Sequence, residues 1–224
     1  MKTETAESAP ALWERRGAAL GVLAVVIMAA SFVFAANGPG NVDSDTKIAS
    51  WYASDSNQYT QIAGWMGFGV GVLCLIGFLA VLRERTAAAE GARGTLSQLA
   101  FGAGVASAAL FFLAIGLFAV PANLAMDTSP GGIVPSAYRM VYTAAYVSWT
   151  TATMIAALTV IATTAVAFRT GFLPRWFAWL GVVVGIAQLL GFFFVPAFAF
   201  WGWILIGAVV LLRRTPERSP GGHL

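Results

Sequence analysis

Residues 138–168 read YRMVYTAAYVSWTTATMIAALTVIATTAVAF, and the rest of the chain is interpreted from this stretch. It carries no charge after Arg139, and it is long enough to cross about 30 Å of hydrocarbon as a helix. Its polar side chains are almost all hydroxyls: Thr143, Ser148, Thr150, Thr151, Thr153, Thr159, Thr163 and Thr164. The stretch therefore predicts a membrane-spanning helix that is unusually polar.

The aromatic side chains of this stretch predict one functional face. Tyr138, Tyr142, Tyr146 and Trp149 are spaced by four, four and three residues, so they stack along one side of a helix. The first two tyrosines fit an interfacial belt, but Tyr146 and Trp149 lie deeper. The threonines allow two interpretations, because a threonine hydroxyl can bond the carbonyl four residues back or can line a cavity wall.

The composition of the whole chain extends this interpretation. Of the 224 residues, 58% are hydrophobic and 10% are charged, whereas about 25% of a soluble domain is charged. The apolar residues fall in blocks of about 20, the length of a membrane span. We therefore expect an all-α polytopic bundle of six transmembrane helices, the third ended by Pro121. The predicted spans are 17–36, 62–82, 96–120, 140–168, 176–195 and 198–212, with tails over 1–16 and 213–224.

The basic residues predict the orientation. With six spans, eleven of the thirteen Lys and Arg residues fall on one side, and only Lys47 and Arg139 fall in the loops of the other side. Cytoplasmic loops carry such an excess. We therefore expect a multi-pass protein of the cytoplasmic membrane with both termini in the cytoplasm. At the outer mouth we expect Arg139 to pair with Asp127.

The longest predicted loop, 37–61, contains a short amphipathic helix. Residues 43–45 (DSD) offer helix caps, and Ile48, Trp51 and Tyr52 follow at helical spacing. Such a helix lies flat on the membrane surface. It serves either as an interfacial anchor or as a lid over an outward-facing cavity.

Small residues predict close helix packing. Three G-x-x-x-G motifs occur, at Gly17 with Gly21, Gly67 with Gly71, and Gly181 with Gly185. The motif lets helix backbones approach closely in a membrane. It predicts a compact bundle, and it also suits a homodimer or a membrane-protein partner. In addition, 65–78 and 179–192 share a tryptophan, three glycines and a phenylalanine in register, which suggests a three-plus-three inverted repeat or convergence between glycine-rich helices.

Reactive side chains are scarce in the predicted spans. Between the span ends there is no Asp, Glu, Lys, Arg or His, and an ionisable group is the usual mark of a functional site in a membrane. The single histidine, His223, is in the tail, and the single cysteine, Cys74, lies among apolar residues, where its thiol is unreactive. We therefore predict no catalytic residue, no metal site, no cofactor and no nucleic-acid partner.

Several short segments resemble an uncharacterised family of bacterial multispanning membrane proteins, known as a domain of unknown function and common in actinobacteria. The first half is matched by 51–53 (WYA), 82–85 (LRER) and 89–91 (AEG), and the second by 171–176 (GFLPRW), 179–181 (WLG) and 211–214 (LLRR). The likeness covers most of 45–214. It implies a six-helix protein of the bacterial inner membrane, with no assigned activity and no functional residues to carry over.

The leading prediction is a non-enzymatic structural, accessory or interaction protein, embedded in the lipid bilayer. The alternative is a small permease or channel for an uncharged or lipophilic solute, and an enzyme that acts on lipid ranks third. The pathway of the permease would be lined by Tyr142, Tyr146, Trp149, Thr150 and Thr153, against Gln188.

Overall fold

The computed structural model describes residues 9–91, 94–127, 133–190 and 196–213, and within them every regular element is an α-helix. The helices are α1 Ala9–Ala35, α2 Asp45–Tyr52, α3 Asp55–Glu90, α4 Thr95–Asp127, α5 Pro135–Thr170, α6 Arg175–Leu189 and α7 Pro196–Arg213. Three parts of the predicted chain lie outside the described residues: the end of the fifth span at 191–195, residues 1–8 of the first tail, and residues 214–224 of the second tail, which include His223.

Five of these helices, α1, α3, α4, α5 and α7, are long and apolar enough to cross a membrane, and α6 is apolar with 15 residues. The predicted all-α membrane bundle is therefore confirmed, and the chain is a multi-pass membrane protein. Each long helix exceeds its predicted span. For example, α3 begins before and ends after the predicted 62–82, because charged and polar turns continue the helix beyond the apolar block.

The six apolar helices form a closed ring in chain order. Each packs against the helix before it and the helix after it, and α7 closes the ring against α1. Neighbouring helices are antiparallel, as the α1–α3 seam shows. There Gly64 lies against Ala35, whereas Gly77, further along α3, lies against Leu20, nearer the start of α1.

All three G-x-x-x-G motifs are used within the chain. Gly17 and Gly21 face α3, Gly67 and Gly71 face α1, and Gly181 and Gly185 face α5. A Cβ atom on Gly71, for example, would lie 2.5 Å from the Met28 side chain. These glycine faces are occupied in the monomer, so a homodimer would use other surfaces.

The predicted inverted repeat does not fit this ring. A two-fold axis in the membrane plane reverses the order of helices around a ring, but α5, α6 and α7 continue in the same sense as α1, α3 and α4. The matched tryptophans also differ in environment, since Trp65 is 5% exposed and Trp179 is 64% exposed. Of the two interpretations, the order of helices around the ring fits convergence between glycine-rich helices that pack closely.

The sequence predicts that Pro121 ends the third span, but the structure does not bear this out. Pro121 lies inside α4, which continues past it. A proline costs the helix one backbone hydrogen bond, but packing holds the following turn. Ala122 is buried in a small cluster with Ile48, Tyr52 and Tyr138, which joins α4 to α2 and α5.

Candidate binding site

The ring encloses a pocket of about 340 Å³ at the end that carries α2. Helices α1, α3, α4 and α5 form its walls, and the chain around α2 covers it. We call it the tyrosine pocket, after its lining residues Tyr52, Tyr138, Tyr142 and Tyr146. Its volume lies within the range of small-molecule sites, about 300–1,000 Å³.

Helix α5 contributes one wall of the pocket. Tyr138, Tyr142 and Tyr146 line it together, as their spacing of four residues requires if they share a face. The rings of Tyr138 and Tyr142 are 5.9 Å apart, and Tyr142 meets the edge of Phe118 from α4 at 5.4 Å. Eight residues of helix rise about 12 Å, so the pocket extends about that far into the ring.

Four aromatic side chains, Phe68, Phe111, Trp149 and Trp201, pack together deeper in the ring, next to the pocket-lining rings of Phe32 and Trp65. We call them the aromatic plug. The Trp149 ring lies 5.3 Å from Phe68, 4.9 Å from Phe111 and 6.3 Å from Trp201, and none of the four is more than 4% exposed. The aromatic plug therefore lies directly below the part of the pocket that Phe32 lines.

Two of the six predicted lining residues, Tyr142 and Tyr146, line the pocket. Trp149 belongs to the plug below it. The hydroxyls of Thr150 and Thr153 donate to carbonyl oxygens of α5 itself, each at 3.0 Å. These two threonines are buried and satisfy their own hydrogen-bonding needs, so they form no wall.

Gln188 lies away from the pocket. Its side chain is fully buried at the end of α6, and its Nε2 donates to the carbonyl oxygen of Pro196 at the start of α7. The amide therefore joins the two helices across the α6–α7 connection. Other polar groups of α5 hold helices together in the same way, since the Thr159 hydroxyl donates to the Ala100 carbonyl at 2.9 Å.

The polar side chains that line the pocket are those of Gln61 and the four tyrosines, and Tyr52 and Gln61 bind each other. The Tyr52 hydroxyl donates to Oε1 of Gln61 at 3.1 Å. Burial raises the pKa of Tyr52 to about 12, so the hydroxyl stays protonated and keeps donating at neutral pH. This bond fixes the amide, and Nε2 of Gln61 finds no acceptor among the described residues. An N–H group that lines a pocket and has no acceptor in the protein is a recognition point for a ligand oxygen.

The sequence did not predict that Gln61 lines the pocket. Gln61 precedes the predicted second span by one residue, so the sequence places it in the loop. The available signal was its spacing from Gln58, because two amides three residues apart share one helical face. The structure uses both, since Nε2 of Gln58 donates to the carbonyl oxygen of Tyr52 at 2.6 Å.

The segment 37–54, which includes α2, covers the pocket, and we call it the lid. Its Gly38, Pro39 and Tyr52 line the pocket directly. The Tyr138 hydroxyl donates to the Pro39 carbonyl oxygen, which attaches the lid to α5. The sequence allows this loop to be either an interfacial anchor or a lid. Its position over the pocket fits a lid.

Arg139 holds the lid in place, but not with the predicted partner. Its guanidinium donates to the carbonyl oxygens of Asn41 at 3.0 Å and Asp43 at 2.9 Å, and it forms an ion pair with Asp45 at 2.7 Å. The expected pair with Asp127 is therefore replaced by a pair with α2. The guanidinium therefore holds the lid in two ways. It binds two backbone carbonyls, which fixes the path of the lid, and it neutralises the carboxylate of Asp45.

The chain matches no family model, no curated protein and no solved structure. The resemblance to the uncharacterised bacterial family stays a prediction. The described residues contain no group of three or more side chains suited to hold a metal ion, and Cys74 packs against the apolar core. The arrangement offers reversible binding, with aromatic walls, one free amide donor and no charged side chain among the described lining residues.

Proposed function

We propose that the chain is a non-enzymatic binding or accessory protein of the bacterial cytoplasmic membrane that takes an uncharged, amphiphilic molecule into the tyrosine pocket. The observation that carries this proposal is a pocket of about 340 Å³ with mainly aromatic walls, in which Nε2 of Gln61 has no acceptor among the described residues. Apolar walls with a few convergent polar groups are typical of ligand sites.

The lining groups define the ligand class. Aromatic rings favour a planar or hydrocarbon body, and Nε2 of Gln61 favours a carbonyl, ether or hydroxyl oxygen at one end. A ligand without such an oxygen leaves the amide unpaired, which costs about 1–3 kcal/mol. A charged ligand would lose its hydration without gaining a partner of opposite charge in the pocket.

The distribution of arginines supports the orientation in this proposal. Arg83, Arg169, Arg175 and Arg213 all lie at the end of the ring opposite α2. Because cytoplasmic ends of membrane helices carry the excess of basic residues, we place that end in the cytoplasm. The tyrosine pocket then opens to the outside, and both termini are cytoplasmic.

A permease or channel for an uncharged or lipophilic solute is the second candidate. It gains support from α5, which lines the pocket with three tyrosines. Passage would require the aromatic plug to separate, and its four members are buried against one another. Binding therefore accounts for the geometry with fewer steps than transport does.

The test is titration of the purified protein with a neutral fluorescent naphthyl ketone and with the naphthalene hydrocarbon that lacks the ketone. Gln61→Leu removes the donor at similar volume, so we expect ketone affinity to fall about tenfold. The matched control is Gln98→Leu, since Gln98 is exposed at the opposite end. Ketone binding that is equal in the wild type and Gln61→Leu, or no binding at all, would contradict the proposal.

A further inference from the structure

A second, entirely different cavity lies on the outer surface of the ring. It is a groove of about 530 Å³ at the seam between α1 and α7. Five apolar residues of α1 between Ala19 and Val26 line it together with Leu212 of α7, and Arg16 lies at its end. It faces the surrounding lipid, because Leu23 is 47% exposed and Val26 is 56% exposed.

The length of the groove matches one leaflet of a bilayer. From Arg16 to Val26 the helix rises about 15 Å, which is half of the roughly 30 Å hydrocarbon thickness. A straight acyl chain that begins at Arg16 would therefore lie along the groove as far as the middle of the membrane. The groove has the dimensions of a lipid tail with its headgroup at the arginine.

A second arginine stands at the same level. Helices α1 and α7 are antiparallel, and a Cβ on Gly21 would lie 2.8 Å from the Cβ of Ala208. Continuing this register by five residues on both helices places Arg213 level with Arg16. Both arginines are exposed, and neither forms an ion pair within the described parts of the chain.

Other arginines at this end of the ring have different surroundings. The guanidinium of Arg83 lies 5.6 Å from the centre of the Phe101 ring, which gives it a partner within the protein. The α1–α7 seam is distinguished by two exposed arginines at the end of a continuous apolar groove. The arginines provide a position for a lipid headgroup, and the groove provides a position for its acyl chain.

We propose that the α1–α7 seam binds an anionic phospholipid, with one acyl chain in the groove and the phosphate between Arg16 and Arg213. A guanidinium binds phosphate oxygens through paired N–H donors, so the arginines provide the selection. The apolar side chains alone cannot select, because they are as apolar as the lipid tails around them. This proposal does not rest on the tyrosine pocket.

The test uses the full chain in phosphatidylcholine nanodiscs with spin-labelled phosphatidylglycerol or spin-labelled phosphatidylcholine as the probe. Electron paramagnetic resonance measures the fraction of probe immobilised by the protein. A basic residue near the membrane surface contributes about a fivefold factor to the binding of an anionic lipid. We expect the wild type to prefer phosphatidylglycerol, and the Arg16→Gln, Arg213→Gln double variant to lose at least about fivefold of this preference.

The matched control is the Arg169→Gln, Arg175→Gln double variant, which removes two charges at the same end but away from the seam. It should keep the preference. If both double variants lose the preference equally, the protein attracts anionic lipid through its overall charge and the proposal is wrong. Equal immobilisation of the two probes by the wild type would overturn it as well.

Ala19→Phe tests the tail position without changing charge. The new ring fills the groove, so we expect it to lower the immobilised fraction of phosphatidylglycerol severalfold while circular dichroism shows unchanged helicity. Full retention of the lipid by this variant would overturn the proposed acyl site. If the arginine double variant does not fold, Ala19→Phe alone decides between the outcomes.

Discussion

The absence of a single methyl group sets the distance between α1 and α3. A Cβ atom on Gly64 would lie 2.6 Å from the backbone nitrogen of Ala35, and backbone cannot move aside as a side chain can. In a membrane, helices associate through such close contact, since lipid removes the hydrophobic driving force. Gly102 of α4 differs, because a Cβ there would meet no atom within 4 Å.

We expect Gly64→Ala to lower the free energy of unfolding by about 1–3 kcal/mol, because overpacking forces the two backbones apart. Gly102→Ala adds the same methyl group in open space, so it should not lower stability and gains the higher helix propensity of alanine. The measurement is thermal unfolding of both purified variants in detergent. Equal melting temperatures would show that the α1–α3 seam tolerates the added volume.

Single residues also mark the limit of sequence prediction for the site. The spacing of Tyr142, Tyr146 and Trp149 predicts that they share one face of the helix. It does not tell at what depth the opposing helices meet that face, and so it assigned Trp149 to a wall when it belongs to the plug. Gln61 was missed because its role depends on Tyr52, which approaches only through the fold of the lid.

At the scale of the element, the lid depends on contacts outside itself. Helix α2 has only eight residues, too few to be stable alone in water. It is held from within by Ile48 and Tyr52, which are buried against α4 and α5, and from outside by Arg139. Losing the external attachment should therefore loosen the whole lid rather than one residue.

Arg139→Gln tests this attachment. We expect amide hydrogen exchange in 41–52 to become severalfold faster, because the ion pair with Asp45 and two bonds to backbone carbonyls are lost. Lys47→Gln is the control, since the Lys47 ion pair with Asp43 joins two residues of the lid to each other. If exchange in 41–52 is the same in both variants, the guanidinium does not hold the lid.

Element boundaries were predictable only in part. Apolar blocks reveal where a helix lies in hydrocarbon, so every predicted span corresponds to a helix. They do not reveal how far polar turns continue beyond the membrane, and α3 and α5 are both longer than predicted. Pro121 gave a local stop signal that packing of the next turn overrode.

At the scale of the molecule, the predicted orientation can be tested independently of any ligand. Ser50 on α2 and Thr95 at the start of α4 are both exposed and lie at opposite ends of the ring. In a Cys74→Ser background, we expect Ser50→Cys to react with a membrane-impermeant maleimide in intact cells. Thr95→Cys should react only after the cells are opened, and the reverse pattern would invert the proposed topology.

The order of helices around the ring was not predictable from the sequence. Short connections favour antiparallel neighbours, but closure of α7 on α1 depends on contacts between residues that are nearly the whole chain apart. Gly21 illustrates this, since it lies against Phe78 of α3 and Ala208 of α7 at once. From the sequence, a glycine-rich helix face does not reveal how many neighbouring helices will pack against it.

Closure between the first and last apolar helices has a consequence for biosynthesis. Helices α1, α3, α4 and α5 precede α7 in the chain, so they leave the ribosome before it does. The rings of Phe68 and Trp149 therefore gain their contact with Trp201 only after α7 has been made. The plug is assembled from both ends of the ring and cannot be complete before α7 joins α1.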